Sequence, residues 1–114
     1  MSRMDEIASM YTAEELYEFG KEYRDGNAEK GFPLNIPDPE RAIKYFKKAA
    51  EKGHIEAGFA LGCMYEKIGG EKYIEKAADY YNLAANHGHR AAKEALDRLT
   101  GKYPALMKEW LYKD

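Results

Sequence analysis

A single cysteine, Cys63, in 114 residues leaves no partner for an intramolecular disulfide and no ligand set for a cysteine-built zinc site. Charge of one sign is also scarce: the net balance is −2, which gives neither nucleic acid nor an anionic membrane surface an electrostatic reason to bind. Apolar runs stop after a few residues, far short of the ~20 that span a bilayer. Met1-Ser2-Arg3-Met4-Asp5-Glu6 leads into no apolar stretch of signal-peptide type, so the expected location is the cytoplasm. Proline is rare and clustered, with Pro33, Pro37 and Pro39 in one connection that cannot be helical throughout.

What the chain has is tyrosine and repetition. Ten tyrosines stand against one tryptophan and four phenylalanines, a residue type that serves helix packing and binding surfaces alike. Residues 41–54 align with residues 76–89 at an offset of 35, with Ala42/Ala77, Tyr45/Tyr80, Ala49/Ala84, Ala50/Ala85, Gly53/Gly88 and His54/His89 identical and Phe46/Tyr81 both aromatic. Upstream, Phe19-Gly20-x-x-Tyr23 corresponds to Leu61-Gly62-x-x-Tyr65 at an offset of 42, which places seven extra residues in the connection from Gly26 to Pro39. After His89 a partial third copy sets Ala92, Ala95, Leu96 and Leu99 against Ala57, Ala60, Leu61 and Met64. A fixed period of this size marks a repeat architecture.

Apolar residues within each copy follow helical spacing, as in Ala42, Tyr45, Phe46, Ala49 and Ala50. Thr12-Ala13-Glu14-Glu15 has the form of a capping box, and Asp38-Pro39-Glu40 that of an N-cap followed by an N1 proline. Gly53 and Gly88 fall where a left-handed residue ends a helix. The spacing predicts helix pairs near 12–25 with 39–52 and 55–67 with 73–87, then a helix at 90–100. A short leading helix within Met1 to Met10 and a closing one from Pro104 to Tyr112 complete the reading. On the closing helix Leu106, Met107, Trp110 and Leu111 share a side and could cover the open end of the third copy. One all-α domain over 1–114 is therefore expected: repeat 1 at about 12–54 with its long 26–39 loop, repeat 2 at about 55–89, and a partial third repeat with a capping helix at 90–114.

Ala57, Ala60, Leu61, Gly62, Met64 and Tyr65, followed by Glu75-Lys76-Ala77, Tyr80-Tyr81, Ala84-Ala85 and Gly88, resemble the Sel1-like repeats, relatives of the tetratricopeptide repeats. The resemblance covers roughly residues 12–100. It implies a short right-handed superhelix of about two and a half helix-turn-helix repeats whose first helices line a concave face. Departures include Leu16 and Phe19 at positions of Ala and Leu, Tyr73 where the pattern has a capping Asp, and the long 26–39 connection. The cysteine-rich branch of that family carries a cysteine pair per repeat and is excluded by the lone Cys63. What remains resembles the adaptor and scaffold branch, which implies a protein or peptide partner.

Candidate site residues follow from that face. Tyr17, Lys21 and Arg24 in the first copy correspond to Phe59, Cys63 and Glu66 in the second, and Glu94 and Arg98 extend the row into the third. These positions differ between copies, and Tyr17 and Phe59 are of the type that anchors interfaces; the alternative use of both rings is packing on a neighbouring helix. A second candidate surface is Phe32, Leu34 and Ile36 in the long loop, which either shields the first helix pair or meets a partner. His54 and His89 are expected to form turns or cap helix ends, because each follows a repeat-terminal glycine. No two-histidine motif lies on one helix, Cys63 lacks an activating partner in sequence, and Gly69-Gly70 lacks the Lys and Ser/Thr of a phosphate loop. The reading is a non-enzymatic binding module with no metal and no cofactor. It acts as an adaptor, or alternatively as a small inhibitor of the kind phages and pathogens make. A capped monomer is expected, with pairing of two chains through Trp110 and Leu111 as the other outcome.

Overall fold

The computed structural model describes residues 3–26 and 36–112, and among these every regular element is a helix. Seven follow in order: α1 (Arg3–Met10), α2 (Ala13–Asp25), α3 (Pro39–Glu51), α4 (Ile55–Ile68), α5 (Glu71–Asn86), α6 (Arg90–Lys102) and α7 (Pro104–Leu111). The boundaries agree with the sequence expectation to within two residues. Phe32 and Leu34 of the second candidate surface lie outside the described residues, and Ile36 at its edge is 66% exposed. The chain divides into two compact units, Met1–Ala57 and Gly58–Asp114.

In the first unit α2 and α3 form the main helix pair, and α1 packs on α3. α2 begins at the capping box read from sequence: the Glu15 N–H donates to Thr12 Oγ1 (3.1 Å) and the Thr12 N–H to Glu15 Oε1 (2.9 Å). Such a cap is worth ~1 kcal/mol. α3 begins at Asp38, whose Oδ1 accepts from the Arg41 N–H at 3.1 Å, with Pro39 in the first turn. Leu16, Ala42, Phe46 and Ala49 are fully buried. α1 is tied down at its C-terminal end, where the Lys52 ammonium donates to the carbonyls of Ala8 and Tyr11, both at 2.6 Å. Lys48 pairs with Asp5 of the same helix.

In the second unit α5 packs against α6, and α7 against both. Leu61, Ile74, Ala77, Ala78, Tyr81, Ala84, Ala92, Leu99 and Met107 form its core. α5 starts at Glu71 behind Gly70, without a side-chain cap; Tyr73, at the place of the pattern's capping Asp, lies inside the helix, two residues past its start. Of the closing helix's predicted apolar side, Met107 is buried, while Leu111 is 63% exposed. Trp110 donates its indole N–H to Asp79 of α5 at 2.7 Å. No helix among the described residues is long and apolar enough to cross a membrane.

Each unit contains the same helix-ending turn. The His54 N–H donates to the Ala49 carbonyl (3.0 Å) and the Gly53 N–H to that of Ala50 (2.9 Å); His89 with Ala84 (3.1 Å) and Gly88 with Ala85 (2.9 Å) repeat the arrangement. This is the Schellman pattern, and it needs the left-handed backbone that Gly53 (φ 91°) and Gly88 (φ 88°) adopt.

Candidate functional site

The row of first-helix residues was the leading sequence candidate, and in the first unit it lies along α2. Tyr17 is half-buried and stacks on the His54 imidazole, with centroids 4.3 Å apart and planes 24° apart. Its other aromatic neighbour is Phe46, at 5.8 Å. Burial pushes the Tyr17 hydroxyl up from its ordinary range. Lys21 Nζ stands 4.8 Å from the Tyr17 ring centre and 3.1 Å from Glu18, whose hydrogen bond pushes the Lys21 ammonium up. Arg24 is exposed, pairs with Asp25 at 2.9 Å and approaches the Phe46 ring at 5.7 Å. The edge is thus two neighbouring rings, Tyr17 with Lys21 and Phe46 with Arg24, each cation having a carboxylate beside it.

His54 holds this edge together. Its Nδ1 accepts from the Ala57 N–H at 3.0 Å, an N-cap contact for α4, so in that state the ring proton sits on Nε2. Nε2 faces Glu14 Oε2 at 2.6 Å, and this hydrogen bond holds the Glu14 carboxyl below its usual range. The expectation that His54 and His89 serve helix ends therefore describes their backbone contacts. Their second role, as plates under an aromatic ring, was not read from sequence. The signal was present in part: an aromatic at 17 and 59 and a histidine at 54 and 89 both recur, though at different offsets, 42 and 35.

The equivalent row in the second unit lies on α4 and α6. Phe59 stacks on His89 at 4.5 Å and 24°, with Tyr81 at 5.8 Å, and His89 Nδ1 accepts from the Ala92 N–H at 3.0 Å. Glu66 does not stand as a separate surface charge. It accepts from the Tyr81 hydroxyl at 2.7 Å and from both terminal guanidinium nitrogens of Arg98, with Nη2 at 2.8 Å from Oε1. Arg98 holds the Glu66 carboxyl below its ordinary range, and the charge pair in turn pushes the guanidinium up. Burial, then the Glu66 carboxylate, pushes the Tyr81 hydroxyl far above its usual value. Cys63 is exposed and lines a shallow hollow with Glu66, Lys67, Tyr81 and Arg98. Glu94 is exposed on α6.

The row thus keeps exposed side chains at Arg24, Cys63, Glu94 and Arg98, with Lys21 half-buried, whereas one face of Tyr17 and one of Phe59 are taken by histidines. No group of three metal-binding side chains converges among the described residues.

Comparison with known proteins gives distant relatives. The chain is 27% identical over its whole length to Protein DSF2 of Saccharomyces cerevisiae, of which it covers 13%. Over 54% of its length it is 38% identical to DAP3-binding cell death enhancer 1 of Mus musculus and 36% identical to the Rattus norvegicus protein of that name, covering 12% of each. The chain therefore spans about an eighth of the length of these relatives. No family model matches, and no solved structure does.

Proposed function

We propose that the chain is a protein-binding module of the Sel1-like kind, non-enzymatic, cytoplasmic and monomeric, that engages a protein or peptide through its first-helix faces. The superhelical stacking implied by the resemblance is part of this reading. Contact would run through Tyr17, Lys21 and Arg24 in the first unit and Phe59, Cys63, Glu66, Glu94 and Arg98 in the second. The observation that carries it is the division of labour along the row: ring and histidine are used alike in both units, while the positions beside them change from Lys21 to Cys63 and from Arg24 to Glu66. Packing explains what is repeated, and recognition is what remains for the positions that differ. A relative whose name describes it as DAP3-binding supports a protein as the partner class.

The test is comparative capture. Native chain, a Lys21→Glu/Arg24→Glu variant and a Lys47→Glu control on another exposed face are used as baits, and bound proteins are quantified. A partner retained by native chain and control but lost from the double variant is expected. Equal retention by all three removes the first-helix row as the binding surface.

A further inference from the structure

The three histidines of the chain present Nδ1 to the backbone in two different ways. His54 Nδ1 accepts from the Ala57 N–H and His89 Nδ1 from the Ala92 N–H, both at 3.0 Å. His87 Nδ1 instead lies 2.9 Å from the Leu83 carbonyl oxygen, which only accepts. His87 therefore carries its neutral-state proton on Nδ1, and a second proton goes to Nε2 with that bond intact. For His54 the order is reversed. Its neutral-state proton is on Nε2, toward Glu14 Oε2 at 2.6 Å, and the lone pair left for a second proton is the one that caps α4. A proton there meets the Ala57 N–H donor to donor and puts positive charge at the N-terminal end of α4, where the helix dipole disfavours it.

Glu14 decides where the protonated ring goes. The His54 side chain is 13% exposed, whereas that of Glu14 is 67% exposed. An imidazolium that has lost its backbone contact keeps its opposite charge in Glu14, and the pair moves toward solvent with the carboxylate. The ring cannot make that move and stay stacked on Tyr17, 4.3 Å away. Neighbouring charges do not oppose it. Lys21 on α2 pairs with Glu18, Lys52 at the end of α3 donates to the carbonyls of Ala8 and Tyr11, and Glu56 in the first turn of α4 adds a second carboxylate.

We propose that protonation of His54 is a built-in release for the first-helix edge: it uncaps α4, draws the imidazole off the Tyr17 ring toward Glu14, and so lowers the affinity of a protein partner held there. This names a regulation of the surface proposed above, and its last step rests on that reading. The uncapping and unstacking belong to the free chain and are measured without a partner.

An isotope-labelled chain is titrated by NMR from about pH 8 to about pH 5, the range in which histidines change charge. At the upper end the imidazole nitrogen shifts should place the proton on Nε2 in His54 and on Nδ1 in His87, and a scalar coupling should join the Ala57 amide nitrogen to His54 Nδ1. On acidification that coupling should vanish, and the Ala57 amide and Tyr17 ring resonances should move with the midpoint of the His54 ring. In His54→Asn, which keeps a cap acceptor, the Ala57 and Tyr17 signals should lose that midpoint. The proposal is overturned by an Nδ1 proton on neutral His54, by a coupling that survives protonation, or by Ala57 and Tyr17 signals that ignore the His54 midpoint. Partner capture is then compared at about pH 7.5 and about pH 5.5. Retention should drop about five-fold, the equivalent of one helix cap, for the native chain and stay level for His54→Asn; an equal drop in both overturns the release. Equal retention by the native chain and Lys21→Glu/Arg24→Glu at the higher pH would instead sink the first-helix reading, on which the titration of the free chain does not depend.

Discussion

The first unit surrounds a glycine with a phenylalanine, and the second does the same with a tyrosine. A β-carbon on Gly20 would lie 2.5 Å from Cδ1 of Phe46, and one on Gly62 would lie 2.5 Å from Cδ1 of Tyr81. In each unit that ring neighbours the aromatic that stacks on the histidine, Tyr17 in one and Phe59 in the other. The hydroxyl has changed places: the first unit carries it on the stacking ring, the second on the ring over the glycine. Where the hydroxyl is buried, at Tyr81, it requires an acceptor, and Glu66 with Arg98 supplies one. The first unit buries Phe46 and has no corresponding need. One packing scheme thus tolerates an exchange of polar groups when a local partner accompanies it.

The largest test of that equivalence is the glycine. Gly20→Leu and Gly62→Leu should each cost upwards of ~2 kcal/mol by overpacking, read by urea denaturation. Comparable losses are expected at the two sites; a loss at only one would show that the ring there moves aside and that the units are alike in outline only.

Next come the histidines. His54→Ala and His89→Ala each remove an N-cap acceptor and a stacked plate, together ~1 to 2 kcal/mol in the same assay. Asparagine in their place retains a cap acceptor and should recover part of the loss, while the Tyr17 or Phe59 ring becomes mobile by NMR. Full recovery by asparagine would mean that the stacking contributes nothing.

A smaller effect separates the units by pH. The Glu66 carboxyl is held below its ordinary range in the fold, so its contribution is fully present above its unfolded pKa, ~4.3, and is lost as pH falls through the lower folded value. Glu66→Gln should flatten the acid limb of the stability curve in that window. Tyr81→Phe, which gives the second unit the ring of the first, should cost ~1 kcal/mol. An unchanged acid limb in Glu66→Gln would assign that sensitivity to other carboxylates. The smallest change is expected for Asp5→Asn, whose partly exposed pair with Lys48 is screened by solvent. A larger loss there would show that α1 is held chiefly by charge.

Helix positions, both designed starts and the paired glycines were legible because each follows from local chemistry: a capping side chain, a fixed proline φ, a backbone that must turn left-handed. Aromatics at 17 and 59 were legible as a pair, though not as partners of the histidines, since that contact joins residues 37 apart in the first unit and 30 apart in the second. Glu66 read as a variable surface position because its partners come from two other helices, 15 and 32 residues away. Exposure at Arg24, Cys63 and Glu94 agrees with helical periodicity.

His89 belongs to two helices at once. Its backbone N–H makes the last hydrogen bond of α5 and its ring the first side-chain bond of α6, with a single glycine separating it from the α5 C-cap His87. Fraying of the α5 end therefore withdraws the cap from α6, and neither helix end opens alone. The junction is a point of folding cooperativity: amide exchange at His89 and at Ala92 should proceed through one opening event with one free energy, as within a single helical turn.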